Sequence, residues 1–166
     1  MAEGPTHRMP LKRRREGKTD YRQRLRLLKS GKTRAVVRIT NKNVIVQFTD
    51  YHEDGDIVKV NVDSNHIRGY GWEGHGSNLP SSYLVGFLAG KKALDIGIQE
   101  AVLDIGLNIP EKGGRIFSVL NGIVDAGVDV PHDPEILPSS ERKEGKHINE
   151  ETVENFYEVK EKLEAL

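Results

Sequence analysis

The chain contains no cysteine, and this absence excludes disulfide bonds, thiolate nucleophiles and cysteine-ligated metal sites. Hydrophobic residues make up only 36% of the 166 residues, so part of the chain is expected to lie outside a core. The longest nearly apolar stretch, residues 83–90, is far shorter than the roughly 20 residues that cross a bilayer. No apolar block follows the basic N-terminus as in a secretory signal, so we expect a cytoplasmic protein.

The chain also has no net charge, but its positive and negative residues are strongly segregated along the sequence. Residues 1–42 contain 14 Lys and Arg against 3 Asp and Glu, a local net charge of +11. Residues 43–166 contain 11 Lys and Arg against 22 Asp and Glu, a net charge of −11. A solvated tail would explain a few excess charges more easily than eleven. The segregation therefore indicates a polyanionic partner, such as a nucleic acid, for the basic end.

The first 30 residues are predicted to form a basic RNA-binding extension with one short helix. Residues 1–17 contain glycine, proline and a run of four cations, which favour an extended chain. We expect this segment to be unstructured until RNA is bound. Thr19 is a candidate N-cap for a helix over residues 20–30. Tyr21 lies among the arginines of this helix, where it could stack on a base or pack beneath the helix with Leu25.

Alternating β-branched residues then predict an antiparallel meander of three strands, with its first hairpin turn at residues 41–43. On the first strand, Arg34 and Arg38 would point away from the core. The strands are expected over residues 34–40, 44–49 and 57–62.

Helical periodicity and glycine punctuation predict helix, strand and helix after the meander, and a helix with six Glu against two Lys at the C-terminus. Gly86 and Gly90 would allow the first of these helices to pack closely on a neighbour. The fold class is therefore α/β, with a mixed sheet, a basic N-terminal extension and an acidic C-terminal helix. These later elements are expected over residues 80–96, 100–105, 115–126 and 149–166. The chain divides into the extension (1–30), an α/β core (31–131) and an irregular segment with the acidic helix (132–166).

Patterns that suggest catalysis do not meet the requirements of their chemistry. The sequence Gly31-Lys32-Thr33 lacks the glycine five positions earlier that a phosphate-binding loop needs, because Arg26 stands there. The six histidines show no zinc-site spacing. Asp104, at the end of a predicted strand, could serve a two-metal nuclease or cap a turn, and Asp125 could do the same. We expect no catalytic residue, no metal and no cofactor, with an RNA-acting hydrolase as the alternative.

Four blocks of the chain resemble the large-ribosomal-subunit protein eighteen family in its archaeal and eukaryotic form. The basic leader and hairpin, residues 12–44, form the first block. The other three are YGWEGHGSNLPSSYLVGFLAGKKA (70–93), EAVLDIGLN (100–108) and KGGRIFSVLNGIVDAGVDVPH (112–132). The likeness runs in order from about residue 5 to residue 150.

This resemblance implies a non-enzymatic, ribosome-bound protein of translation that binds 5S ribosomal RNA. It also implies that the protein helps attach this RNA to the large-subunit RNA at the central protuberance, beside neighbouring ribosomal proteins. The primary RNA contacts implied are Arg13, Arg14, Arg15, Lys18, Thr19, Tyr21, Arg22 and Arg24. The secondary contacts are Arg34, Arg38, Asn41 and Lys42. The α/β core would be a scaffold.

Overall fold

The meander forms because its three strands are rich in β-branched residues, and burial alternates along part of the second and third strands. The computed structural model describes Gly4 and residues 6–166. In chain order, the first half contains the elements α1 (Lys12–Arg15), α2 (Tyr21–Leu28), β1 (Arg34–Ile39), β2 (Val44–Asp50) and β3 (Ile57–Asp63). The second half contains α3 (Ser64–Arg68), α4 (Leu79–Asp95), β4 (Val102–Asp104), α5 (Arg115–Asp125), α6 (Ser140–Glu144) and α7 (Glu150–Glu164). A short 3-10 helix, Pro134–Ile136, precedes α6.

The four strands form one mixed sheet in the order β3-β2-β1-β4. The three strands of the meander are antiparallel, and β4 runs parallel to β1 with Ala35 opposite Leu103. The predicted α/β class with a mixed sheet is confirmed. The crossover from β3 to β4 contains α4, which covers the inner face of the sheet.

The core lies between this inner face and the helices. Ala35, Val37 and Phe48 point inwards and are fully buried, whereas the outward side chains of β1 belong to Arg34, Val36 and Arg38. The C-terminal helix α7 also contributes three buried side chains to this core, those of Phe156, Val159 and Leu163.

Helices α4 and α5 approach each other closely at glycines. A methyl group at Gly86 would collide with the backbone of Val119, and one at Gly122 would collide with the backbone of Tyr83. At Gly90 an added methyl would lie 2.6 Å from the Cβ of Ala126. The close packing predicted for Gly86 and Gly90 is confirmed.

Several details differ from the sequence-based predictions, among them the short helices α3 and α6, which were not predicted. Within the segment predicted to be extended, Lys12–Arg15 form one helical turn, while residues 1–3 and 5 lie outside the described residues. Asp20, not Thr19, caps α2, because its carboxylate accepts hydrogen bonds from the backbone N–H groups of Arg22 and Gln23. The strand predicted over 100–105 is shortened to β4.

Candidate nucleic-acid interface

A cleft of about 670 Å³ lies between α2 and the outer face of the sheet. We call it the α2 cleft. It contains five cationic and three acidic side chains, so its lining carries a formal net charge of +2. The cations are Arg13, Lys18, Arg24, Arg34 and Arg38, and the carboxylates are Asp20, Asp56 and Asp104. The size is within the range of small-ligand pockets, and the charge favours an anion.

Arginines and aspartates alternate along the floor of this cleft. Arg24 donates two hydrogen bonds to Asp56, at 2.8 and 2.9 Å, in a bidentate arrangement. Arg34 donates to Asp56 and also to Asp104, the latter at 3.0 Å. Arg38 completes the series by donating to the Asp104 carboxylate at 3.4 Å. We call this series, Arg24–Asp56–Arg34–Asp104–Arg38, the arginine–aspartate chain.

The arginine–aspartate chain runs from the interior of the protein to its surface. The side chain of Arg34 is 3% exposed, while those of Arg24 and Arg38 are 31% and 44% exposed. A buried guanidinium requires counter-charges, and Arg34 has one on each side. The hydrogen bond from Arg24, aided by Arg34, holds the pKa of Asp56 below its usual value. Asp56 therefore stays ionised over the physiological pH range.

Asp104 is the inner anchor of this network. Besides the two arginines, its carboxylate accepts the backbone N–H of Gly106 at 2.9 Å, as in a turn that follows a strand. The guanidinium of Arg38 lies directly over Gly106, where a Cβ would meet it at 2.9 Å. Asp104 thus caps a turn and neutralises two arginines. Of its two predicted roles, nuclease metal ligand and turn cap, the structure shows the turn cap.

Seven of the twelve residues predicted to contact RNA line the α2 cleft. They are Arg13, Lys18, Thr19, Tyr21, Arg24, Arg34 and Arg38. The other five are exposed and do not line it: Arg14, Arg15, Arg22, Asn41 and Lys42. The structure therefore gathers most of the predicted set on one side of the sheet.

Individual members of this set differ in how free their side chains are. Arg34 is buried, and its two terminal nitrogens donate to Asp104 and Asp56, so its guanidinium can reach a ligand only through the cleft. Thr19 accepts a hydrogen bond from Arg13 Nε at 2.9 Å, which fixes the bend between α1 and α2. Tyr21 is half-buried and lines the α2 cleft, whereas Leu25 is 57% exposed.

The sequence-based prediction missed Asp56 as a member of the site. In the sequence, Asp54-Gly55-Asp56 is typical of a turn between two strands and gives no sign of a binding role. The available signal was Arg34, a charged residue followed directly by the apolar residues 35–37 of β1. Such a residue requires a carboxylate partner. Neither of its partners lies close in sequence, since Asp56 is 22 and Asp104 is 70 residues away.

The chemistry of the site is that of binding. Among the described residues, no group of three or more His, Asp or Glu side chains could hold a metal ion. Asp125, the other carboxylate considered, accepts the Tyr83 hydroxyl at 2.8 Å and lies 3.4 Å from Lys143 Nζ. No helix in the described part of the chain is long and apolar enough to cross a membrane. Fold and cleft together define an α/β protein with a cation-rich surface of the kind that binds polyanions.

Comparison with known proteins assigns this α/β protein to a family. Residues 6–99 match the family described as "Ribosomal large subunit proteins 60S L5, and 50S L18". Large ribosomal subunit protein uL18 of Haloquadratum walsbyi is 50% identical over 148 residues, which are 89% of this chain and 72% of that protein. The uL18 proteins of Haloarcula marismortui and Aeropyrum pernix are 48% and 51% identical, over 90% and 89% of this chain and 80% and 70% of theirs.

The chain belongs to this family of ribosomal large subunit proteins. It is therefore a structural ribosomal protein, associated with the RNA and proteins of the cytoplasmic ribosome, and not an enzyme. The resemblance inferred from the four sequence blocks is confirmed. The alternative of an RNA-acting hydrolase is wrong, because the family is structural and both candidate carboxylates are engaged in structural contacts.

Proposed function

We propose that this protein binds 5S ribosomal RNA and helps attach it to the large-subunit RNA at the central protuberance. The observation that carries the proposal is the concentration of exposed cations in the N-terminal segment of a ribosomal protein. Residues 1–42 have a net charge of +11, and Arg13, Arg14, Arg15 and Arg22 are exposed. Arginine forms bidentate hydrogen bonds with phosphate, which makes it the preferred residue for such a surface.

The RNA-binding surface in this proposal has two parts. The first comprises α1, α2 and the turn between them, with Arg13, Arg14, Arg15, Lys18, Thr19, Tyr21, Arg22 and Arg24. The second comprises the outer side of β1 and the tip of the first hairpin, with Arg34, Arg38, Asn41 and Lys42. Tyr21 is the candidate for base stacking, because it is half-buried and lines the α2 cleft.

We further propose that the chain works in three segments. Residues 1–30 make the primary RNA contacts, residues 31–131 form the scaffold that carries the secondary ones, and residues 132–166 carry acidic charge away from the RNA. The acidic residues of α7 suit this last role, since its six glutamates would repel a phosphate backbone and its buried face packs on the core.

The experiment that tests this function is a binding titration with the full chain. Transcribed 5S ribosomal RNA and a shuffled RNA of the same length and composition are titrated at about 0.15 M salt. We expect 5S RNA to bind at least about tenfold more tightly, because shape and unpaired bases add to the charge attraction. Equal affinity for the two RNAs would mean that the protein binds RNA nonspecifically, which would contradict the proposal.

A further inference from the structure

Resting on the proposed function, we infer that Asp56 is a positioning residue of the RNA-binding surface. It strengthens RNA binding by locking α2 against the sheet, although its own negative charge repels RNA. The inference predicts opposite signs for two effects of one residue. Loss of the charge alone would raise affinity, whereas loss of the lock would lower it.

Helix α2 has little else to hold it in place. It has eight residues and none of them is buried, and a helix of this length is unstable alone in water. Leu25, in its middle, is 57% exposed. Among the described residues, the two hydrogen bonds from Arg24 to Asp56 are the only ones that join α2 to the body of the protein. Without them, the helix that presents Tyr21 and Arg22 would be held only by its ends and by half-buried side chains such as Leu27 and Leu28.

Asp56 can hold the helix because it is itself anchored in the sheet. Its carboxylate also accepts a hydrogen bond from Arg34, which is buried at the start of β1 and bound in turn to Asp104. Helix α2 is therefore connected to β4 through the carboxylates of Asp56 and Asp104 and the buried guanidinium of Arg34 between them. Ordering α2 before RNA arrives reduces the entropy lost on binding.

An asparagine at position 56 would not preserve this geometry. A carboxylate offers two acceptor oxygens to the two N–H groups of Arg24, whereas an amide offers one acceptor and directs an NH₂ donor at the guanidinium. Asp56→Asn is nearly the same size as the native residue. It therefore removes the bidentate pair, one counter-charge of Arg34 and one negative charge, with little change in side-chain volume.

Glu16 provides a matched control in the same basic segment. It is an exposed carboxylate whose contact is with Lys18, at 3.0 Å, and it takes no part in the arginine–aspartate chain. Glu16→Gln removes the same charge close to the same cations and leaves α2 locked. A purely electrostatic effect would therefore raise RNA affinity in both variants.

The decisive experiment measures the affinity of wild type, Asp56→Asn and Glu16→Gln for 5S ribosomal RNA at one salt concentration. We expect Asp56→Asn to bind about three- to tenfold more weakly, because α2 must be ordered on binding. Glu16→Gln should bind equally or up to about twofold more tightly, because one repulsive charge is gone. The inference is overturned if Asp56→Asn binds as tightly as Glu16→Gln.

A second readout tests the lock in the free protein, whatever RNA it binds. Amide hydrogen exchange in α2 should be about tenfold faster in Asp56→Asn than in wild type, and unchanged in Glu16→Gln. Unchanged exchange in Asp56→Asn overturns the inference. If wild type shows no preference for 5S RNA, the proposed function fails, and the exchange rates still decide whether Asp56 locks α2. If Asp56→Asn does not fold, Arg24→Gln breaks the same pair from the exposed side and should accelerate the same exchange.

Discussion

Asp104 lies at the end of β4, where a metal-binding carboxylate would also lie, and its contacts make it a structural residue. Its side chain is 8% exposed and is shared by Arg34, Arg38 and the Gly106 amide. Loss of its charge would leave buried Arg34 with one counter-charge instead of two. A buried charged partner of this kind has a larger effect on stability than a surface pair.

Replacement of Asp104 by Asn should therefore lower the free energy of unfolding by roughly 2–4 kcal/mol. The comparison is Asp125→Asn, whose carboxylate is 40% exposed and should cost about 1 kcal/mol. Urea unfolding monitored by circular dichroism at pH 7 measures both. Similar midpoints for the two variants would show that the arginine–aspartate chain does not depend on Asp104.

The lowered pKa of Asp56 leads to a prediction about pH. The hydrogen bond from Arg24 holds this pKa below that of the unfolded chain, which is about 3.9 for aspartate. The ionised form therefore stabilises the fold above about pH 4, and this contribution disappears as pH falls through the folded-state pKa. The difference in unfolding free energy between wild type and Asp56→Asn should be roughly 1 kcal/mol at pH 7 and shrink below pH 4. A difference independent of pH would contradict the ion pair.

At the scale of elements, the contact between α4 and α5 depends on glycine. Alanine normally stabilises a helix relative to glycine by about 1 kcal/mol. At Gly86 and Gly122, however, a methyl group would collide with the backbone of the opposite helix. The helices would have to move apart, and the buried side chains between them would lose contact.

Gly86→Ala and Gly122→Ala should consequently each destabilise the protein by roughly 2–3 kcal/mol, opposite in sign to helix propensity. Thermal unfolding of each single variant measures the effect. The double variant should be less destabilising than the sum, because one separation of α4 from α5 relieves both collisions. Stabilisation by either alanine would show that the two helices are not in close contact.

The longer elements could be predicted from the sequence because their patterns span several periods. The observed bounds of the three meander strands lie within about one residue of the predicted bounds. The first residues of α4 and α5 also lie within about one residue of their predicted positions. The short helices α1, α3 and α6 have four or five residues, too few to show helical periodicity. The start of α3 does carry a local signal, because the side chains of Asp63 and His66 each accept a hydrogen bond from the backbone N–H of the other residue.

The candidate site was predictable in its cations and not in its carboxylates. Arg13, Arg14 and Arg15 stand out because they are adjacent in sequence. The partnership of Arg24 with Asp56 spans 32 residues, and that of Arg34 with Asp104 spans 70. Which carboxylate meets which arginine depends on the register of β1 and β4 and on the position of α2. A single sequence contains no direct record of either.

At the scale of the whole molecule, charge is separated in space as well as along the chain. The cations Arg13, Lys18 and Arg24 line the α2 cleft at the outer sheet face, whereas α7 packs against α4, which covers the inner face. A field arranged in this way orients the protein before contact, with its basic side towards RNA. Net charge near zero therefore does not prevent binding to a polyanion.

Salt dependence measures how much of the affinity comes from that basic side. If about six cations meet phosphates, the logarithm of affinity should fall with the logarithm of salt concentration with a slope of roughly −4 to −5. Replacing Arg13, Arg14 and Arg15 by Ala should reduce the magnitude of this slope by about two to three.

The control removes three cations elsewhere, Lys112, Lys146 and Lys160, of which the first two are 72% and 55% exposed. Because they lie in the acidic part of the chain, the control should change the slope by less than about 0.5. Filter binding of 5S ribosomal RNA at four or five salt concentrations gives all three slopes. Equal changes in the two triple variants would mean that the N-terminal arginines attract RNA only as part of the general charge and do not form the docking surface.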